Sequence, residues 1–358
     1  MHMKPDTLTI ATIQVASQLG DREGNLANAA KYVEQAAQQG AKLILLPEMM
    51  PGGYTLNETI WETAEPFDGP STQWLRELSK RLKLYLGTSF LEADGENFYN
   101  TFVLTGAEGE VVARVRKCPP ASFEAYFFAG GSDCHWFDTP IGRIGVGICF
   151  ENALYEHYAE LHQAGIDLYL RPFSGASFEA KFPVRQRDAD ILNAALRDGT
   201  AETAKLMGIP VVMSNKVGRL VSTLPAGFPA QDIEFPGFSA IADSDGTLLG
   251  QLGPGKQGAM VGTVHLMPER KKTEVIPRAF GRWTAKMPWW AFIWVLTQRM
   301  GERAYAKSAM RKSKALTMSK APSPSLSEPP AVAAELNRSL HFREKCSFPS
   351  TPKSTPSA

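Results

Sequence analysis

The chain has 358 residues, of which 44% are apolar and 21% charged, and its 38 Lys and Arg side chains nearly balance 37 Asp and Glu. These values are typical of a globular protein, and they exclude a collagen, a disulfide-stapled miniprotein, a wholly disordered chain and a polytopic membrane protein. The charge is unevenly distributed. Residues 1–269 carry 21 cationic and 32 acidic side chains, whereas residues 270–320 carry 13 and 2. An acidic body is therefore followed by a basic segment.

Three further features bear on where the protein works. The N-terminus lacks the apolar core of a secretion signal, and four unevenly placed cysteines do not indicate a disulfide framework. The most apolar late stretch, residues 289–296, is much shorter than the roughly 20 residues that a membrane-spanning helix needs. We expect a cytoplasmic protein, with contact to a membrane limited to its surface.

Short β-branched runs alternate with helical patterns from residue 8 to about 266, which is typical of layered α/β folds. Apolar residues three and four apart predict helices over 25–39, 71–82 and about 153–164. The predicted strands cover residues 8–15, 43–46, 84–90, 98–104, 110–115, 144–148, 167–170, 209–213, 237–242, 247–252 and 260–265. The interval 173–197 shows neither pattern clearly, and we expect it to form a loop that covers a pocket.

The composition changes after Pro277. Residues 285–318 are compatible with a basic helix, whereas Pro, Ser, Thr and Ala dominate from Ser319 onward and predict disorder. The sequence thus predicts a folded α/β domain over residues 1–269, a basic, aromatic-rich helical extension over 270–318, and a disordered tail over 319–358.

Three ionisable residues follow predicted strands. Glu48 follows 43–46, Lys117 follows 110–115, and Cys149 follows 144–148 and precedes a helix. The ends of strands commonly line the active crevice of layered α/β proteins, and a thiol, a carboxylate and an ammonium group suffice for acyl transfer. The position before a helix predicts a lowered thiol pKa for Cys149. Taken singly, each residue also fits a structural role: core filling for Cys149, helix capping for Glu48 and solvation for Lys117.

The segments around these residues resemble the nitrilase superfamily of carbon-nitrogen hydrolases, which has a Glu-Lys-Cys triad. The resemblance covers about residues 8–266. It is carried by six segments in the family's order: Leu45-Leu-Pro-Glu48, Arg116-Lys117 with Glu124 and Phe127-Phe-Ala-Gly130, Gly145-Val-Gly-Ile-Cys-Phe-Glu151, Ser214-Asn-Lys-Val-Gly218, Phe235-Pro-Gly-Phe-Ser239 and Asp243-Ser-Asp-Gly246.

The resemblance implies a four-layer α-β-β-α sandwich in which Cys149 attacks a carbon-nitrogen bond other than a peptide bond. Glu48 would act as acid and base, and Lys117 with the backbone N–H of Phe150 would stabilise the oxyanion. Glu124 would position the substrate or assist Glu48, and Phe150 and Glu151 would line the substrate pocket. The resemblance implies neither a metal nor an organic cofactor.

Some residues depart from the family's pattern and leave the reaction open. Cys118-Pro-Pro120 stands where the family usually has a His-Leu-like pair, and Phe150-Glu151 matches neither the amidase nor the nitrile-cleaving branch. We expect amide hydrolysis; nitrile hydrolysis, acyl transfer and a catalytically silent scaffold are the alternatives. Cys118, Cys134, His135 and Cys149 match no common zinc spacing, so we expect no metal site.

Aromatic and cationic side chains share residues 282–314. Such a helix could dock on the acidic body or on a second subunit of a homodimer or higher oligomer. It could also lie on an anionic membrane. We expect a small amide or nitrile as the substrate and no nucleic acid as a partner.

Overall fold

The structure is a computed structural model that describes residues 5–181, 184–272, 276, 278–279, 281–285 and 287–321, apart from the side chain of Pro268. The predicted disordered tail lies outside the described residues from position 322 onward, and so does Lys286 in the predicted basic helix.

Fourteen strands and six α-helices make up the regular structure of the described residues. The strands are β1 (Thr7–Gln14), β2 (Leu43–Leu45), β3 (Tyr85–Asp94), β4 (Asn97–Thr105), β5 (Val111–Arg116), β6 (Trp136–Thr139), β7 (Gly142–Val146), β8 (Leu168–Phe173), β9 (Val211–Asn215), β10 (Val217–Ser222), β11 (Gln231–Pro236), β12 (Ala240–Ala242), β13 (Leu248–Gln251) and β14 (Gly258–His265). The helices are α1 (Arg22–Gln38), α2 (Pro70–Leu82), α3 (Tyr155–Ala164), α4 (Gln186–Met207), α5 (Phe292–Lys307) and α6 (Ala309–Ser319).

The strands form two six-stranded sheets and a separate hairpin. The first sheet has the order β14-β1-β2-β3-β4-β5, the second has the order β13-β12-β9-β8-β7-β6, and β10 pairs with β11. Parallel pairing joins β1 to β2 to β3 in one sheet and β7 to β8 to β9 in the other. Each sheet therefore combines a parallel centre with antiparallel edges.

Alternation of side chains along the strands builds the layers, because successive residues of a strand face opposite sides of its sheet. In β2, Leu43 and Leu45 pack between the two sheets, whereas Ile44 faces the helices α1 and α2. In β9, Val212 packs between the sheets and Val211 faces α3 and α4. This arrangement confirms the predicted α-β-β-α sandwich.

Local sequence explains where the helices begin and which side they bury. The side chain of Asp21 accepts a hydrogen bond from the N–H of Gly24 and so caps α1, while Pro70 occupies the first turn of α2, where its missing N–H costs nothing. Leu26 and Val33 of α1 share the buried face that packs on the first sheet.

The prediction of a loop over 173–197 was wrong for its second half, because α4 begins at Gln186. The buried side of α4 consists mainly of small or polar residues, and the carbonyl of Gly199 accepts a hydrogen bond from Nη1 of Arg171 at 2.8 Å. A face of this composition gives a weak helical pattern.

The C-terminal extension packs on the body. Gly301 of α5 lies against the segment 122–126, where a β-carbon would stand 2.8 Å from backbone atoms of Ala125 and Tyr126. Trp283 and Trp290 are buried. The described part of the chain contains no helix with the length and hydropathy needed to cross a membrane.

Candidate active site

Three strand ends bring the predicted triad together. β5 runs in the same direction as β2 and β3, since β4 turns back between β3 and β5, so Glu48 and Lys117 leave the first sheet at the same edge. The end of β8 joins this edge: the N–H of Glu48 donates to the carbonyl of Phe173 at 3.3 Å, and the hydroxyl of Ser174 donates to the carbonyl of Glu48 at 3.1 Å. Cys149 follows the neighbouring β7, so the site lies where the two sheets meet.

Lys117 bridges two carboxylates in the interior. Its Nζ lies 2.8 Å from Oε1 of Glu48 and 2.8 Å from Oε2 of Glu124, and all three side chains are buried. Burial disfavours the ammonium form, but Glu124 and Glu48 outweigh it and hold the pKa of Lys117 well above its usual value. Lys117 is therefore a fixed cation at neutral pH.

The two oxygens of Glu48 have different surroundings. Oε1 accepts hydrogen bonds from Lys117 Nζ and from Nδ2 of Asn100, the latter at 2.7 Å. Oε2 is buried and makes no hydrogen bond to any residue that the structure describes. Because an unpaired buried carboxylate oxygen is costly, its presence indicates a position kept for a proton or a substrate group.

Glu124 is held from its other side by Tyr54, whose hydroxyl donates to Oε1 of Glu124 at 2.8 Å. Burial raises the pKa of Glu124, Glu48 adds to this effect, and Lys117 opposes it. The site thus holds two carboxylates around one ammonium group, which leaves it with a net negative charge when both carboxylates are ionised.

Cys149 stands at a sharp turn with φ of 50°, in the left-handed region that is rare for residues other than glycine. Its side chain lies within electrostatic reach of Glu48, Lys117 and Glu124 and of the backbone N–H of Ser174. Burial and the Glu48 carboxylate raise the pKa of the thiol, and Lys117 and the Ser174 N–H only partly oppose them. The expected lowering of this pKa was wrong, because burial and two carboxylates act against the thiolate.

Both carboxylate oxygens of Glu151 accept hydrogen bonds from backbone N–H groups. Oε2 accepts from the N–H of Ile148 at 2.6 Å, while Oε1 accepts from the N–H of Cys118 at 2.6 Å and lies 2.8 Å from Nε2 of His135. These contacts engage both oxygens and tie the residue before Cys149 to the residue after Lys117. The geometry favours a positioning role over the predicted contact with substrate.

Phe150 contacts the C-terminal extension. Its ring meets those of Trp283 and Trp294 edge to face, with centroids 5.8 and 6.2 Å apart. The extension therefore reaches the residue next to Cys149.

Asn100, Tyr54 and Ser174 are site residues that sequence reasoning missed. Asn100 lies within β4, where its carbonyl accepts from the N–H of Lys117 at 2.9 Å. Their importance depends on strand register and on contacts between distant segments, for which the sequence offers no motif. The one available signal was a buried polar residue within a predicted strand.

Residues 9–270 match the carbon-nitrogen hydrolase family. The chain belongs to this family. Nitrilase 3 of Arabidopsis thaliana is 30% identical over 193 residues, which cover 48% of this chain and 56% of that protein. An omega-amidase of Homo sapiens is 31% identical over 198 residues, which cover 52% of this chain and 70% of that protein.

The solved structures support the same fold. A carbon-nitrogen hydrolase from Helicobacter pylori G27 aligns with a TM-score of 0.63 at 20% identity, over 73% of this chain and 90% of that one. This match shows the fold alone. The chain spans only slightly more than half the length of the Arabidopsis nitrilase, and its membership of the nitrilase superfamily confirms the resemblance seen in the sequence.

Proposed function

We propose that the protein hydrolyses a small non-peptide amide through a thioester on Cys149. Support comes from the buried grouping of Glu48, Lys117 and Glu124 beside the thiol, and above all from the unpaired Oε2 of Glu48. Since the raised pKa keeps Cys149 protonated at neutral pH, the attack requires a nearby base, and the free oxygen of Glu48 is suited to accept the proton.

The reaction proceeds in two halves. Sγ of Cys149 bonds to the carbonyl carbon as its proton moves to Glu48, and the oxyanion forms beside the ammonium group of Lys117 and the N–H of Phe150. Glu48 then protonates the leaving nitrogen, the carbon-nitrogen bond breaks, and ammonia or an amine departs. Water attacks the thioester while Glu48 takes its proton, which releases the carboxylic acid and restores the thiol.

The coverage of one relative supports an amide as the substrate. The human omega-amidase and the Arabidopsis nitrilase have nearly equal identity to this chain, but the omega-amidase match spans a larger share of both proteins. Nitrile hydrolysis or acyl transfer would use the same three residues.

The test is ammonia release from a panel of amides and nitriles. Cys149→Ala should abolish release without changing the circular dichroism spectrum, whereas Cys118→Ala, which removes the thiol of an exposed residue, should retain it. Turnover by Cys149→Ala would refute the thioester route. A folded wild-type protein with no turnover, whose Cys149 also resists alkylation at high pH, would favour a silent scaffold.

The extension also presents an exposed apolar stripe, formed by Trp289, Phe292, Leu296 and Met300. The first three are 61%, 55% and 51% exposed. Phe292, Leu296 and Met300 are four residues apart along α5 and so share one face, and the ring of Trp289, just before the helix, lies 6.1 Å from that of Phe292. Exposed cations adjoin this stripe in Arg299, Arg303 and Lys307. Aromatic and aliphatic side chains beside cations fit the interface of an anionic membrane, and we propose peripheral binding there.

Flotation with anionic vesicles tests this proposal. The double variant Phe292→Ser, Leu296→Ser should float less than the wild type, and salt should weaken flotation of both. The matched control is Val221→Ser, Leu248→Ser, which alters exposed apolar residues of the body. Membrane binding is contradicted if the two double variants float equally well. It is also contradicted if the wild type does not float and instead forms a dimer that the variant Phe292→Ser, Leu296→Ser loses.

A further inference from the structure

A second cluster of reactive side chains lies apart from the triad. A cavity of about 380 Å³ is lined by residues that include Cys118, His135, Glu156, His157, Glu160 and Arg282. His135 precedes β6, whereas His157 and Glu160 are three residues apart on α3 and therefore share a side of that helix. The function proposed above uses none of His135, His157 and Glu160.

These three side chains are spaced for joint coordination. One nitrogen of each ring and one carboxylate oxygen of Glu160 all lie within 4.8 Å of one another, and both imidazoles are buried. Oε1 of Glu160 also accepts from the backbone N–H of His135 at 3.2 Å, which fixes the carboxylate beside that ring.

The hydrogen bonds define which nitrogen of His157 carries a proton. The hydroxyl of Tyr169 donates to Oδ1 of Asn152 at 2.7 Å, so it has no proton left for His157 Nε2, 3.1 Å away. Nε2 of His157 must therefore be the donor, and its Nδ1, which has no hydrogen bond within the described part of the chain, keeps a lone pair.

His135 also has one ring nitrogen that donates a hydrogen bond and one that makes none within the described residues. Its Nε2 faces Oε1 of Glu151, a carboxylate oxygen that already accepts from the N–H of Cys118. Nε2 therefore donates, and Nδ1, also without a hydrogen bond among the described residues, is the nitrogen left for an ion once any proton on it is released. A histidine that donates one N–H to a carboxylate and binds metal with its other nitrogen is a common arrangement in metalloproteins.

From this geometry we infer a site for one divalent transition-metal ion, with His135, His157 and Glu160 as protein ligands. Two imidazoles and a carboxylate suit Zn²⁺ and leave a coordination position open towards the cavity. The other charges that line the cavity have partners of their own: Glu156 pairs with Arg278 at 2.9 Å, and Arg282 donates to Gln298 at 3.3 Å. An ion here would lie one ligand away from Glu151, which braces the segments of Lys117 and Cys149.

The test is titration of Zn²⁺ into metal-free, full-length Cys149→Ala protein by calorimetry, since that background removes the nucleophile as a ligand. We expect one strong equivalent of Zn²⁺ and at least about tenfold weaker binding in Glu160→Gln, which can still accept the His135 N–H but loses the ligating charge. The matched control Glu156→Gln, in the same background, changes a carboxylate of this cavity that already has a cationic partner, and it should bind Zn²⁺ as tightly as the parent Cys149→Ala protein.

A second variant and a spectrum complete the test. His157→Gln should also lose the strong equivalent, and Co²⁺ should bind without the charge-transfer band of a cysteine thiolate. The inference is overturned if the protein shows no saturable binding, if Glu160→Gln and Glu156→Gln bind equally well, or if the Co²⁺ spectrum shows thiolate ligation. None of these results bears on the role of Cys149 in hydrolysis.

Discussion

Replacement of Glu48 by glutamine separates thiol reactivity from catalysis. The amide keeps an oxygen for Lys117 and Asn100 but removes the negative charge and the base. Since the Glu48 carboxylate raises the pKa of Cys149, its removal should lower that pKa, by about one to two units for a neighbouring charge. Below the thiol pKa, the thiolate fraction would rise about 10- to 100-fold.

The measurable change in alkylation is smaller, because a thiolate of lower pKa is a weaker nucleophile. With a Brønsted slope of about 0.4 to 0.5, the alkylation rate of Glu48→Gln at a given pH should rise by roughly 3- to 10-fold. Hydrolysis should fall by about 100- to 10,000-fold, since the acid and base are lost. In the wild type, alkylation should be slow at neutral pH and increase as the pH rises.

The assay is reaction with iodoacetamide over a range of pH, followed by mass spectrometry of the peptide that contains Cys149. The matched control is Glu58→Gln, which replaces an exposed glutamate and should change neither the alkylation rate of Cys149 nor the rate of hydrolysis. If Glu48→Gln is alkylated no faster than the wild type, or if it retains hydrolysis, the assigned electrostatics and the assigned base are refuted.

Three further perturbations have defined outcomes. Lys117→Met removes the cation that lowers the thiol pKa, so both Cys149 alkylation and hydrolysis should slow; faster alkylation would contradict this. Gly301→Val should push α5 from the segment that carries Glu124, with a loss of about 1–3 kcal/mol in unfolding free energy and a lower kcat; unchanged melting temperature and kcat would count against that contact. Burial alone would lower the pKa of His135, but Glu151 raises it to about 9, so the pair stabilises the fold below about pH 6.5 and this contribution is lost as the pH rises through 9. In metal-free protein, the stability advantage of wild type over His135→Gln should therefore fall by about 3 kcal/mol across that range, as measured by urea unfolding; a constant difference would contradict it.

The sequence predicted the layers well because they depend on local patterns. Strands such as β1 and β2 are short apolar runs bounded by polar residues, and α1 has a regular buried face. The hairpin of β10 and β11 was missed, since exposed or half-buried residues interrupt the buried ones and neither strand is a continuous apolar run. Helix α4 was missed along its whole length because it buries mainly small and polar residues.

The residues of the candidate sites also fall into those that local sequence predicts and those that only the three-dimensional fold reveals. Glu48, Lys117 and Cys149 were predictable because each follows a strand and lies in a recognisable segment. Asn100 and the pair of His135 with His157 were not, because β4 register and the packing of α3 bring them to their partners. The sign of the Cys149 pKa shift was missed for a related reason: it depends on the desolvation of the thiol and on how close the fold brings the carboxylates of Glu48 and Glu124 to it.

The covalent intermediate gives the most direct test of the account. The wild-type protein is quenched in acid while it hydrolyses an amide, and the mass of the peptide that contains Cys149 is measured by mass spectrometry. The account predicts that this peptide gains the mass of the acyl group and that the gain disappears when the substrate is exhausted. The sample is taken at low temperature, which slows deacylation, and at a saturating substrate concentration. Steady hydrolysis with no acyl group on Cys149 under these conditions would contradict the account.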